Sequence, residues 1–138
     1  MTTLSEVDKD AIRDAYTAIV ESRGLAPRWG QRQMIAEVAN TLARVKHTDD
    51  EVPPASPFAV IEAGTGTGKT IAYVLPALIM ARSLGKRLVV ATATVALQEQ
   101  LMEKDLPDIQ AGSDLSFDYA LAKGRRRYLC LSQLDRHR

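Results

Sequence analysis

The stretch E-A-G-T-G-T-G-K-T, residues 62–70, decides the fold predicted for this chain. It follows the short apolar run 58–61 and precedes the long apolar run 71–81. Residues 63–70 match the P-loop pattern G-x-x-x-x-G-K-[ST] except at its first position, where alanine stands in place of glycine. Glycines let successive backbone N–H groups turn toward an anion, and the N-terminus of a following helix favours phosphate. The stretch therefore predicts a nucleoside triphosphate site.

Each residue of this loop has an expected role. Lys69 would neutralise the β- and γ-phosphates, and the Thr70 hydroxyl would bind Mg²⁺, so these two are the predicted catalytic residues. The alternative is a flexible surface loop rich in glycine and threonine, which the predicted strand before it and helix after it disfavour. The residues predicted to contact ATP are Ala63, Gly64, Thr65, Gly66, Thr67, Gly68, Lys69 and Thr70.

A catalytic P-loop site also requires an acidic residue on a neighbouring strand to hold Mg²⁺. No apolar run downstream of the loop ends in Asp or Asp-Glu. Asp118 lies inside F-D-Y-A-L-A rather than at the end of a strand, and is a poor candidate. A self-contained small P-loop ATPase or phosphotransferase, which is the alternative function, would need this acid within the chain.

The flanking sequence predicts an α/β fold. Apolar runs at 58–62, 87–92 and 117–122 predict parallel strands. Helices over 69–84 and 95–106 are expected between them. Pro76 should bend the first of these helices, and Pro107 should end the second. Two N-terminal helices are expected upstream, one from the cap Ser5 to about 23 with Gly24 as its stop, the other over about 31–46. The apolar residues that recur at helical spacing are Val7, Ala11, Ile12, Ala15, Tyr16 and Ile19 in the first helix, and Met34, Ile35, Val38, Ala39 and Leu42 in the second. The acidic, proline-rich segment 47–57 predicts a linker.

Composition sets limits on the class of protein. Of the 138 residues, 46% are hydrophobic and 25% charged, which is ordinary for a soluble globular domain. The apolar run 71–81 is too short to span a bilayer and the N-terminus has no secretory signal, so we expect a cytoplasmic protein with no membrane partner. The single cysteine excludes an internal disulfide. Residues 123–138 carry six basic residues and one acidic residue, which indicates either a phosphate-contacting patch or a solvated tail.

Four blocks together resemble the DinG-type helicases, iron–sulfur enzymes of the XPD-like branch of superfamily 2. The blocks are P-R-W-G-Q-R-Q-M (27–34), the P-loop, A-T-A-T-V-A-L-Q-E-Q-L (91–101) and K-G-R-R-R-Y-L-C (123–130). The resemblance implies a RecA-like P-loop NTPase that couples ATP hydrolysis to translocation on single-stranded DNA and unwinds duplex junctions, in DNA repair. It further implies an N-terminal portion, inactive alone, with a helix at 1–26, part of the first RecA-like domain at 27–122 and a basic lead-in to an iron–sulfur domain at 123–138.

The resemblance also implies roles for residues outside the loop. Arg28 and Gln31 match the segment that recognises adenine, although two polar residues at a helix start, or Gln33 in place of Gln31, are alternatives. The residues that match the segment lying along single-stranded DNA are Thr92, Thr94 and Gln98. Alternatively, Thr94 caps a helix and Gln98 lies on its solvated face. Both readings can hold together, because a helix N-terminus is itself a phosphate site.

Cys130 matches the first of four cysteines that hold a 4Fe-4S cluster in these helicases. Four thiolates are needed and this chain has one, so the cluster is expected only in a longer protein, and a thiol that binds no cluster describes the chain alone. A third hypothesis is a non-catalytic module in which residues 1–46 form a helical pair that binds a partner. We also expect an exposed sheet edge that favours self-association.

Overall fold

The computed structural model describes residues 4–45 and 56–136. Its helices are α1 (Glu6–Ser22), α2 (Trp29–Leu42), α3 (Lys69–Ser83), α4 (Val95–Gln100), α5 (Leu106–Gly112) and α6 (Leu131–Arg136). A π-helical turn, Leu101–Asp105, joins α4 to α5, and a short 3₁₀ turn, Arg125–Arg127, precedes α6. The predicted linker over 47–57 lies outside the described residues except at positions 56 and 57.

The first helix begins and ends as its sequence predicts. Ser5 is extended, and its side chain accepts the Asp8 backbone N–H at 3.1 Å, which satisfies one of the donors left free at a helix start. At the other end Gly24 adopts a φ of 60°, and the Leu25 N–H donates to the Val20 carbonyl at 3.0 Å. The buried stripe is Ile12, Tyr16, Ile19 and Val20. Val7 and Ala11, predicted as part of this stripe, are exposed, Val7 by 79%. They lie one turn apart on a side of α1 that faces away from the core, whereas Leu4, nearer the N-terminus, is buried.

The helices α2 and α3 supply most of the remaining core. Ile35 and Ala39 of α2 are buried as predicted, although α2 runs over Trp29–Leu42 rather than over about 31–46. In α3 the predicted stop is confirmed, since Gly85 has a φ of 61° and the Lys86 N–H donates to the Ala81 carbonyl at 2.8 Å. Pro76 lies inside α3 and is fully buried.

The helix predicted over 95–106 is wrong at its C-terminal end. Thr94 caps its start as predicted, but the chain widens into the π-helical turn and continues as α5, with Pro107 in the first turn. The Leu106 N–H donates to the Leu101 carbonyl five residues back. Proline has no N–H and its ring would clash with a carbonyl four residues earlier in an α-helix, so a wider turn accommodates Pro107 where a regular helix would end.

The three predicted strands are not formed in the part of the chain that the structure describes. Segments 58–62, 87–92 and 117–122 have no regular secondary structure, and no backbone hydrogen bond among the described residues joins them. The local pattern persists in the second segment, where Leu88, Val90 and Thr92 are half-buried and the intervening residues exposed. The alternation of half-buried and exposed side chains is a property of one segment, whereas a strand also needs hydrogen bonds to a neighbouring segment. Segments 87–92 and 117–122 instead line a groove of about 750 Å³ beside α3.

One hydrophobic core joins α1, α2, α3, the π-helical turn and α5. Leu75 of α3, Ile19 of α1 and Ile109 of α5 are almost completely buried, and each such side chain contributes about 1.5–3 kcal/mol. An ion pair of 2.9 Å between Arg23 and Asp108 also links α1 to α5. Because α1 packs against α3, it lies next to the loop that precedes α3. None of the described helices is both long and apolar enough to cross a membrane.

Candidate nucleotide-binding site

The P-loop stretch forms a tight glycine turn directly before α3. Gly66 and Gly68 have φ values of 75° and 71°, in the left-handed region that other residues seldom adopt. Gly68 is the N-cap of α3, with no side chain to cap the helix, and the first helical hydrogen bond runs from the Ala72 N–H to the Gly68 carbonyl at 3.2 Å. The N–H groups of Lys69, Thr70 and Ile71 therefore have no partner within the helix. They form a site of partial positive charge.

Lys69 is exposed and its ammonium group lies over the loop. It donates to the carbonyls of Ala63 and Gly64 at 2.9 and 2.8 Å, while the Thr67 hydroxyl donates to the Gly64 carbonyl at 2.9 Å. An ammonium group has three donors, so one remains beyond these two contacts. Thr65 lies exposed at the tip of the turn.

The structure brings Arg28 and Gln31 to the same loop. The Arg28 guanidinium donates to the Gly66 carbonyl, and the Gln31 Nε2 donates to the Gly68 carbonyl at 3.0 Å. Arg28 is exposed and Gln31 is buried. Gln33, the alternative to Gln31, is exposed on α2. The two residues that the resemblance selected are thus the ones that contact the glycine turn.

Tyr16 belongs to this site, although no role in the site was predicted for it. It lies on α1, is 6% exposed, and its hydroxyl donates to the Gln31 Oε1 at 2.7 Å. Sequence reasoning assigned Tyr16 to the apolar stripe of α1 and left its hydroxyl unexplained. A buried tyrosine hydroxyl needs a polar partner, and that requirement is the signal that would have pointed to it.

Thr70, the predicted Mg²⁺ ligand, is half-buried at the second position of α3. Partial burial and the nearby Asp105 carboxylate raise the pKa of the Tyr73 hydroxyl above its ordinary value, and a hydrogen bond with the Thr70 side chain partly offsets this. The described residues contain no group of three or more His, Cys, Asp or Glu side chains placed to hold a metal ion. A Mg²⁺ ion here would rely on the Thr70 hydroxyl and the phosphate oxygens of the nucleotide.

The residues predicted to contact DNA lie around the start of α4. The Thr94 hydroxyl accepts the Leu97 N–H at 3.3 Å, and the Thr92 hydroxyl donates to the Thr94 carbonyl at 3.2 Å. Gln98, one turn into α4, accepts a hydrogen bond from the Arg127 guanidinium. This contact places a residue of the basic segment beside the predicted DNA residues. The capping role of Thr94 is confirmed and is compatible with a DNA role.

Cys130 is exposed, and its sulfur lies 3.2 Å from the Ser132 hydroxyl. Nearby, the Tyr128 hydroxyl accepts the Lys123 N–H at 3.1 Å, which closes the basic turn. A 4Fe-4S cluster needs four protein ligands, as a rule thiolates, and the whole chain has one cysteine. The residues of this chain alone therefore do not fit the cluster.

A glycine turn with left-handed positions, a lysine at the first position of the next helix and a threonine after it are the features of a P-loop nucleotide-binding protein. Residues 30–128 match the DEAD/DEAH box helicase family, and the chain belongs to that family. The family has a P-loop NTPase fold, so this part of the predicted fold is confirmed. The parallel strands are not seen among residues 4–45 and 56–136.

Within the family, the predicted similarity to DinG-type helicases is confirmed. The chain is 44% identical over 109 residues to the ATP-dependent DNA helicase DinG of Photobacterium profundum, covering 79% of this chain and 15% of that protein. It is 36% identical over 135 residues to the ATP-dependent helicase DinG of Mycobacterium tuberculosis, covering 95% of this chain and 19% of the relative. The ATP-dependent DNA helicase YoaA of Haemophilus influenzae is 50% identical over 76 residues, or 55% of this chain and 11% of that protein. The chain thus spans less than a fifth of the length of these relatives.

Proposed function

We propose that this chain supplies the ATP-binding loop and part of the DNA-contacting surface of a DinG-type, ATP-dependent DNA helicase. The observation that carries the proposal is the glycine turn, with two left-handed glycines, an uncapped α3 N-terminus and Lys69 in one small volume. Translocation on single-stranded DNA, unwinding of duplex junctions and a role in repair belong to the proposal for the complete helicase. The 4Fe-4S cluster with Cys130 as one ligand is likewise proposed only there.

Phosphate binding at this loop involves an exchange of hydrogen-bond partners. Lys69 donates to two neutral carbonyls, and charged phosphate oxygens are stronger acceptors than carbonyls. A bound triphosphate would therefore draw the ammonium group away from Ala63 and Gly64. The free N–H groups at the start of α3 would bind the same phosphates, and Thr70 would add its hydroxyl to Mg²⁺.

Arg28 and Gln31 are proposed to act on the adenine side of the site. Their donors already reach the carbonyls of Gly66 and Gly68, so the nucleotide base would lie beside the start of α2. Gln31 uses one of its two N–H donors and one of its oxygen lone pairs within the chain. The remaining donor and lone pair match the acceptor and donor on the Hoogsteen edge of adenine.

The test of the nucleotide site is binding of Mg-ATP by calorimetry to the wild-type chain and to Lys69→Ala. We expect the substitution to weaken binding at least tenfold, because a charged hydrogen bond contributes about 1.5–3 kcal/mol. Lys86→Ala is the matched control, since it removes the same charge at the far end of α3. Equal affinity of wild type and Lys69→Ala would refute the phosphate role.

Steady-state ATP turnover, measured in parallel with and without single-stranded DNA, separates the helicase portion from a self-contained ATPase. We expect no turnover above that of Lys69→Ala, because no apolar run downstream of the P-loop ends in the acidic residue that a catalytic Mg²⁺ site requires. Turnover that Lys69→Ala abolishes would instead support a complete small ATPase.

The proposed DNA surface consists of Thr92, Thr94, Gln98 and Arg127. Hydroxyl and amide groups contact phosphates without distinguishing bases, and Arg127 adds a positive charge to this surface through its contact with Gln98. We expect Arg127→Ala to weaken binding of a labelled oligothymidine and to reduce the salt-dependence slope by about 0.7. Arg13→Ala, which removes a charge paired with Asp10 on α1, should leave both unchanged. An unaltered slope in Arg127→Ala would refute this contact.

A further inference from the structure

The residues that hold the glycine turn converge on one buried hydroxyl. The Tyr16 hydroxyl donates to the Gln31 Oε1 at 2.7 Å and accepts the Arg28 backbone N–H at 3.4 Å. Arg28 and Gln31 are the two residues whose side chains bind the carbonyls of Gly66 and Gly68. A single side chain of α1 therefore contacts both supports of the loop.

The Gly68 carbonyl and the Tyr16 hydroxyl together determine which way the Gln31 amide faces. A carbonyl can only accept, so the amide must turn its NH₂ toward Gly68, and its oxygen then faces Tyr16. The reversed amide would place its oxygen against the Gly68 carbonyl oxygen, two acceptors with no proton between them. Because the Tyr16 oxygen accepts the Arg28 N–H, its one proton is directed to Gln31. Phenylalanine at position 16 would keep the ring and remove this constraint.

The orientation of Gln31 matters because Gln31 lies directly against the loop. A β-carbon built on Gly68 would come within 2.3 Å of the Gln31 Nε2. The Gly68 carbonyl points toward Gln31, so the Lys69 N–H of the same planar peptide unit points away from it. That N–H belongs to the free donors at the start of α3.

We propose that Tyr16 is a positioning residue for nucleotide binding, which acts by orienting Gln31 and, through it, the Gly68–Lys69 peptide unit. The proposal rests on the proposed ATP site and makes α1 a part of that site. Tyr16 has no contact with the nucleotide in this scheme. Its effect is on the phosphate-binding donors.

The test compares Tyr16→Phe with Tyr119→Phe, which makes the same chemical change on a segment remote from the loop. Binding is measured with Mg-ATP and with inorganic tripolyphosphate, which lacks a base. We expect Tyr16→Phe to weaken tripolyphosphate binding about three- to tenfold and Mg-ATP binding by at least that factor, since Gln31 is also proposed to contact the adenine, and Tyr119→Phe to weaken neither. In a Gln31→Ala background, Tyr16→Phe should cause no further loss, since its effect passes through Gln31. Unchanged affinity, or an equal loss in the Gln31→Ala background, would overturn the proposal.

Hydrogen–deuterium exchange of the free chain separates this inference from the ATP site itself. Peptides covering 63–72 should exchange faster in Tyr16→Phe than in Tyr119→Phe, with far-UV circular dichroism unchanged in both. If wild type and Lys69→Ala bind Mg-ATP equally, the ATP site is refuted while faster exchange still supports the positioning role. If exchange is unaltered, the positioning role fails whatever the ATP result.

Discussion

Gly68 satisfies three structural requirements of the loop at once. It adopts a left-handed conformation, it occupies the N-cap position of α3, and it lies in contact with Gln31. Any side chain there would meet both the backbone strain and the Gln31 amide. Gly64 is different, because no atom lies within 4 Å of a β-carbon built on it and its φ is not positive. The glycines of one motif therefore serve different physical purposes.

Gly68→Ala should lower the free energy of unfolding by roughly 1–2 kcal/mol or more and abolish Mg-ATP binding, because the left-handed conformation and the Gln31 contact both oppose a β-carbon. The matched control is Gly30→Ala in α2, where no neighbour lies within 4 Å and φ is not positive. There the helix should gain up to about 1 kcal/mol. Urea unfolding and calorimetry measure both effects, and a Gly68→Ala chain that still binds Mg-ATP would contradict the loop geometry.

At the scale of single elements, α3 connects the nucleotide loop to the π-helical turn through Tyr73. Partial burial and the Asp105 charge raise the pKa of the Tyr73 hydroxyl, and the Thr70 side chain partly offsets this. The raised pKa means that the folded state favours the neutral phenol. This contribution to stability is present below pH 10 and is lost as the pH rises through the folded pKa.

We therefore expect the free energy of unfolding of the wild-type chain to fall, relative to Tyr73→Phe, as the pH rises above about 10. The measurement is urea unfolding of both chains at pH 9, 10 and 11, in which the difference between them cancels the titration of lysines. A difference that stays constant across this range would show that Tyr73 ionises equally easily in the folded and unfolded states.

Single helices and strands differ in how far the sequence could predict them. Helix boundaries follow from local chemistry, so Ser5, Thr94, Gly24 and Gly85 act where they were expected. The π-helical turn depends on how Pro107 is accommodated within a continuing helix, which a local pattern does not specify. The three strands require hydrogen bonds between distant segments, and the alternation in 87–92 is compatible with a strand but cannot supply its partner. The Tyr16–Gln31 contact is likewise a long-range contact between two helices.

At the scale of the whole molecule, several large apolar side chains are exposed in the segments 58–62 and 87–92, which have no regular secondary structure. Phe58 is 83% exposed, Val60 92% and Val89 86%, and all three lie in segments that make no backbone pairing among the described residues. Unpaired extended backbone beside apolar side chains favours association between chains. Val7 is also exposed, but it lies on a helix whose backbone groups are hydrogen-bonded internally, so it offers no unpaired backbone to another chain.

We expect the chain to self-associate with rising concentration in sedimentation velocity experiments, and Val60→Lys and Val89→Lys each to reduce that association. Val7→Lys is the control, because Val7 is 79% exposed on a helix whose backbone is hydrogen-bonded internally. Equal association in all of these variants would mean that the segments around Val60 and Val89 are not the surface through which chains associate.

The π-helical turn fixes the length of the chain between Thr94 and Ile109. The hydrogen bond that closes a π-helical turn spans five residues where that of an α-helix spans four, so this turn holds one residue more than a regular helix would. Removing one residue from 101–105 would leave a regular α-helix, in which the ring of Pro107 would clash with the carbonyl four residues earlier. Such a deletion should therefore destabilise the helix at its proline, whereas Ile109 would keep its place in the core and Asp108 its place beside Arg23.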